Sequence, residues 1–265
     1  MTLRVAQITD CHLQADPTTP YKGVDADAHL DQCLAWLQDH AQVDVLLLTG
    51  DLSHFGSLKA YQRLQQKLTS VLCPSIWLAG NHDDCQAMQQ VCNQPVQELR
   101  VFDYKHWQVL AINTTAKPDG AGGGSVSDQQ MKDLASTLEQ NHGKPVCLFM
   151  HHNAVPVNSA WQDNIMLANA SEFNALIAAN PQVKMVVCGH VHQEIDEILL
   201  GTRFLATPSS AVQFACYQQQ FKVQEELGPG LRLLTLMDDG QAHSQVVRLP
   251  KIISSLLANT DIMTH

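Results

Sequence analysis

Five short apolar runs in this 265-residue chain each stop at a cluster of Asp, His or Asn, and that repetition restricts the fold more than any other feature. Residues 3–9 run into Asp10-Cys11-His12, 43–49 into Gly50-Asp51, and 75–79 into Gly80-Asn81-His82-Asp83. Residues 145–150 run into His151-His152, and 183–189 into His190-Val191-His192. Short runs this rich in Val, Leu and Ile read as strands buried on both faces. Sheets covered on both faces collect ligand-type side chains beyond the C-terminal ends of their strands. The chain is therefore expected to bring its five polar clusters to one edge.

Between the strands, Ala26, Leu30, Cys33, Leu34 and Leu37 mark one face of a helix over 26–40. Tyr61, Leu64, Leu68 and Val71 mark a second helix, residues 84–92 a third, and 171–179 a later one. Ser127, with Gln130 three residues on, reads as a capping box opening a helix to about residue 141. A strand is expected over 106–113. After residue 193 the pattern becomes short strands: EIDEILL, RFLAT, FKVQEE, LRLLTL and HSQVVRL. This order predicts an α/β fold, a four-layer α-β-β-α sandwich of two mixed β-sheets flanked by helices. One domain is expected over 1–250, with 251–265 a peripheral tail. Trp161 falls in a loop. GAGGGS (120–125) reads as a flexible loop, since no phosphate-binding P-loop pattern accompanies it.

Composition excludes several classes. No apolar run reaches the eighteen residues of a membrane span, and the N-terminus has no basic-then-apolar leader, so the expected location is cytoplasmic. The eight cysteines form no C-x-x-C pair, and several sit in apolar runs as small hydrophobes, which suits a reducing compartment. A net charge of −10 and the lack of a basic run argue against nucleic acid and anionic membrane as partners. An acidic protein that binds phosphate needs local positive charge, which bound metal supplies. Asp, His and Asn donors suit borderline-to-hard ions such as Fe(II), Mn or Zn. In an extended segment, Asp10 and His12 would face one site while Cys11 turns away, and His190 and His192 repeat that spacing. A bridging carboxylate would hold two ions about 3.5–4 Å apart.

In this order, D-x-H, GD, GNHD, HH and GHxH resemble the calcineurin-like metallophosphoesterase superfamily, from residue 3 to about 200. The resemblance implies one ion held by Asp10, His12, Asp51 and His192. A second would be held by Asp51, Asn81, His151 and His190, with Asp51 bridging. TPSSAVQF (207–214), WQDNIMLANASEF (161–173) and GPGLRLLTL (228–236) look like the bacterial 3′,5′-cyclic AMP phosphodiesterase branch. That likeness implies hydrolysis of cyclic AMP to 5′-AMP by a hydroxide shared between two divalent ions, Fe2+ or Mn2+ first and Zn2+ next. His12, Asp51, Asn81, His82 and His192 would face the bound phosphate. His82 is the expected proton donor to the leaving group, with Asp83 orienting it. The His151-His152 loop, Trp161, Asn169 and residues 207–214 are nominated for the nucleoside. Other phosphodiesters, nucleotides and phosphomonoesters stay open as substrates, as does a non-catalytic scaffold; oligomeric state is left open.

Overall fold

The computed structural model describes residues 2–104, 106–141 and 143–252. Two sheets stack face to face. The first has five strands in the order β13-β12-β1-β2-β3: Ala242–Arg248, Gly230–Leu236, Leu3–Ile8, Val45–Thr49 and Ser75–Leu78. The second has six in the order β4-β5-β6-β7-β9-β8: Arg100–Asp103, Gln108–Ala111, Val146–Phe149, Val183–Cys188, Thr202–Ala206 and Ile195–Leu199. Strands β1, β2 and β3 run parallel, as do β5, β6, β7 and β9, while β12 and β13 extend the first sheet antiparallel and β4 and β8 edge the second antiparallel. A two-residue pair, β10 (Gln213–Phe214) with β11 (Val223–Gln224), stands apart.

Alternation along the strands builds three apolar layers. Val45 and Leu47 meet Cys147, Phe149, Met185 and Val187 between the sheets. Leu46 and Leu48 turn outward onto α1 (Ala26–His40) and α2 (Leu58–Lys67), against Leu30, Leu34 and Leu64. Leu148 and Val186 turn the other way, onto α4 (Asp128–Glu139) and α6 (Ala170–Ala178), against Leu134, Phe173 and Ile177. At about 1.5–3 kcal/mol for each large apolar side chain buried, these layers fix which end of every strand is free. Helices α3 (Cys85–Cys92) and α5 (Ala160–Asp163) lie in the connections. This is the expected four-layer sandwich.

Local differences have physical reasons. The strand expected at 106–113 shortens to β5, and β4, which pairs with it, has no sequence signature because only Arg100 is buried. FKVQEE forms only the two residues of β11. Trp161 lies on α5 rather than in a loop. Ser127 caps Gln130 N, but the Gln130 side chain accepts from Asn113 N, so only half of the capping box forms. Lys251 donates to Glu225 O, and Ile252 N donates to His29 Nε2; the rest of the expected tail lies outside the described residues.

Candidate metal centre

The loops after β1 and β2 run side by side, with Asp10 N donating to Gly50 O and His12 N to Asp51 O. The backbone here is not the extended one the i, i+2 spacing suggests. Asp10 (φ +54°), His12 (+47°), Asp51 (+52°), His190 (+67°) and His192 (+51°) are all left-handed. Such conformations cost an L-residue on the order of 1–3 kcal/mol and gather where function demands them. The side-chain outcome nevertheless matches the spacing argument. Cys11 and Val191 point away into the two helix-side cores. Glycine is required at Gly50 and Gly80. A Cβ at Gly50 would collide with His151 Nδ1 and lie 2.7 Å from its Cγ, and one at Gly80 would lie 2.5 Å from Asp51 N.

The seven candidate ligands converge as two nests of lone pairs. In one, His12 Nε2 and His192 Nε2 are 3.1 Å apart, and His192 Nε2 is 3.3 Å from Asp10 Oδ1. In the other, His151 Nε2 is 3.2 Å from Asn81 Oδ1, with the His190 ring 5.1 Å from the His151 ring. Asp51 stands between them, its Oδ2 3.7 Å from His12 Nε2 and its Oδ1 3.5 Å from His151 Nε2. Acceptors this close repel unless a cation or proton lies among them.

Backbone carbonyls fix the ring tautomers. A carbonyl only accepts, so His151 Nδ1 donates to Thr49 O, His192 Nδ1 to Val212 O and His190 Nε2 to Ile165 O. In each ring the other nitrogen is left facing the site, the arrangement that metal-ligating histidines share; Asp51 beside His151 Nε2 favours a proton there, the place that a bound cation would take. His152 differs: Nε2 donates to Gly122 O and Nδ1 accepts from the Thr114 hydroxyl. Both its nitrogens are occupied, so it anchors a loop and is no ligand. Cys11 and Cys188 are buried in core clusters, which leaves a nitrogen-and-oxygen donor set that fits Fe(II), Mn or Zn.

The electrostatics agree. Burial pushes the Asp51 carboxyl up, but His151 and then His12 outweigh it and hold it well below the usual range. Burial acts likewise on Asp10, and His192 brings it down. His151 is moved down by burial and further up by Asp51, to about 9. Burial, then His151, brings His190 to about 4, and burial alone dominates the lowering of His12.

The site opens into a cavity of about 400 Å³, within the roughly 300–1,000 Å³ typical of small-molecule pockets. His12, Asp51, Asn81, His82, His190 and His192 line it. His82 Nδ1 donates to His54 O, leaving Nε2 free. Asp83 does not orient His82. Its carboxylate accepts from the amides of Gly80, Ser53 and Leu52 and from the Tyr61 hydroxyl. Buried there, and next to Asp51, it is raised to about 6. Asn169 is not at the cavity either, since both ends of its amide bond Val126. The 120–123 loop lines the cavity and is tied down, with Asp119 accepting from Ala121 N and Gly123 N.

Sequence reasoning missed two neighbours, His54 and Tyr21, and nominated a third, Phe214, only as the end of the 207–214 segment. His54 places Nδ1 3.3 Å from His12 Nδ1, and its ring stacks on His82. Its position three residues after Asp51 was the available signal. Tyr21 stacks on His12 at 4.3 Å, and Phe214 on His192 at 4.0 Å. Nothing local marks Tyr21, whereas Phe214 ends the 207–214 segment.

The calcineurin-like phosphoesterase family model matches residues 3–194. A 3′,5′-cyclic-nucleotide phosphodiesterase of Nostoc sp. is 33% identical over 252 residues, 94% of each chain. The 3′,5′-cyclic adenosine monophosphate phosphodiesterase CpdA of Escherichia coli K12 is 34% identical over 252 residues, 93% of this chain and 90% of its own. A dimetal phosphatase from Danio rerio shares the fold at a TM-score of 0.67 and 13% identity, over 96% of this chain and 99% of that one. Matched along most of its length by the family model and by relatives above 30% identity, this chain belongs to the calcineurin-like phosphoesterase family.

Proposed function

We propose that the protein is a metal-dependent phosphodiesterase that hydrolyses 3′,5′-cyclic AMP to 5′-AMP. In this reading Asp10, His12, Asp51 and His192 hold one divalent ion, and Asp51, Asn81, His151 and His190 hold a second. The observation that carries it is Asp51, whose two carboxylate oxygens face different nests of lone pairs. The names of the curated relatives support the cyclic nucleotide as substrate.

Divalent ions held there supply a water acidic enough to attack at neutral pH, together with positive charge for the phosphoryl oxygens. That charge answers the chain's net −10. The chain's own residues set the geometry. Thr49 O, Val212 O and Ile165 O aim the ligand rings, and the amide of His82 steadies Asp51 Oδ1 at 2.9 Å. His12, Asp51, Asn81, His82 and His192 line the floor on which the phosphate would lie. With Nδ1–H committed to His54 O, protonated His82 has its Nε2 proton to give to the leaving oxygen. Asp83, tied to the turn, supports this floor rather than the proton transfer. Among the described residues no helix is long and apolar enough to cross a membrane, and the eight cysteines are free.

The test is a substrate panel on metal-stripped protein reloaded with Fe(II), Mn or Zn. We expect 3′,5′-cyclic AMP to be turned over with higher kcat/KM than 2′,3′-cyclic AMP or bis(p-nitrophenyl) phosphate. Metal-independent turnover, or a phosphomonoester outpacing every diester, would overturn the reading.

A further inference from the structure

The cavity is chemically lopsided, and its two sides differ beyond the metal floor. Beside Asn81 stand the glycines of 120–123, which offer backbone alone, and the aliphatic side chains of Ala121 and Ile165. Beside His12 and His192 stand Tyr21, Lys22, Trp161, Phe214 and Phe221. Three of these form one aromatic wall: Trp161 meets Phe214 at 5.3 Å and Phe221 at 5.2 Å, and Phe214 meets Phe221 at 5.1 Å, all edge to face. Phe214 also stacks flat on His192, at 4.0 Å and 9°. The wall is therefore registered directly against a candidate metal ligand.

Two features of this wall are not needed for its packing. Phe221 is 47% exposed although it belongs to an aromatic cluster, so part of its ring surface is left uncovered at the cavity. Lys22 holds its ammonium 4.3 Å from the Phe221 ring centroid, and its backbone is left-handed (φ +46°). No carboxylate lies within ion-pair distance of Lys22 among the described residues, so cation and ring meet here without a counter-ion.

We propose that Phe221, Trp161 and Lys22 form a nucleobase subsite that takes the purine ring of the substrate by its face and its acceptor edge. The inference rests on the phosphate lying at the metal nests, as proposed above, and names what recognises the other half of the molecule. The exposed surface of an aromatic ring takes a flat heteroaromatic ring by stacking. An ammonium only donates, so Lys22 selects an edge that accepts, and every purine presents ring nitrogens of that kind. The glycine side has no such features and leaves room for the ribose.

The experiment is calorimetric binding of 5′-AMP and of ribose 5-phosphate to the Mn-loaded protein. The two ligands share the phosphate and sugar and differ only in the base. The quantity read is the ratio of their Kd values, in which any common effect on the phosphate half cancels. We expect 5′-AMP to bind about tenfold tighter or more, which corresponds to about 1.4 kcal/mol. Phe221→Ala, a change at a half-exposed position, should bring the ratio to within about threefold of one, and Lys22→Met should reduce it independently. A wild-type ratio near one, or a ratio untouched by both substitutions, would overturn the subsite. Turnover of 3′,5′-cyclic AMP by the wild type separates the two ideas. Preference for 5′-AMP without that turnover sinks the proposed function and leaves the subsite standing, and turnover without the preference does the reverse.

Discussion

Asp83→Asn tests whether this carboxylate builds the site's scaffold or belongs to its chemistry. Each oxygen of Asp83 receives two donors: Gly80 N (2.9 Å) and Leu52 N (3.2 Å) on Oδ2, Ser53 N (2.9 Å) and Tyr61 Oη (2.8 Å) on Oδ1. An amide has one oxygen. Whichever way it turns, two donors face its NH2 group. The least costly choice points the NH2 at Tyr61, whose hydroxyl can rotate to accept, and leaves the Ser53 amide opposed. A buried donor left without a partner costs about 1–3 kcal/mol, and the lost charge-assisted bonds add to that. We expect a loss of about 3 kcal/mol. At about 2–4 °C per kcal/mol for a domain of this size, Tm falls by about 6–12 °C. Calorimetry on metal-free protein at pH 8, above the Asp83 value of about 6, reads the change with the side chain ionised and no metal contribution. A shift below about 2 °C refutes the scaffold role. A wild-type Tm combined with a displaced kcat–pH profile would return Asp83 to the side of His82.

His82→Ala should lower kcat by roughly 10²–10⁴-fold while metal analysis still finds both ions, and near-normal turnover would remove it from the reaction. Asp51→Ala should lose both ions because its oxygens face both nests; two ions still bound per chain would sink the bridging assignment. Gly80→Ala places a methyl 2.5 Å from Asp51 N and 2.7 Å from His151 Cε1. Overpacking of that kind costs about 1–3 kcal/mol, so its denaturation midpoint and its metal content should fall together, and a stable, fully loaded variant would show that the loops yield.

What the sequence made legible followed local rules. Apolar runs of strand length, helix faces at i, i+3 and i+4, and polar clusters at strand ends all depend on near neighbours, and they located the sandwich and the five polar clusters, while the family resemblance singled out seven side chains within them. The misreadings begin where a neighbour in sequence is not a neighbour in space. Asp83 follows His82, yet its carboxylate reaches back 30 residues to Ser53. Asn169 lies in the segment that resembles cyclic AMP phosphodiesterases, yet its amide is spent on Val126. His54 lies beyond the strand-end cluster, so no motif marks it, although it shares the Asp51 loop. The least visible layer also has the most leverage. Whether His151, His190 and His192 can hold an ion depends on which ring nitrogen keeps its lone pair. That choice is made by the carbonyls of Thr49, Ile165 and Val212, 102, 25 and 20 residues away. Any residue type has a carbonyl, so no pattern of side chains announces it. Motifs can therefore name the ligands of such a centre, while the backbone that folds around them decides their protonation and aim.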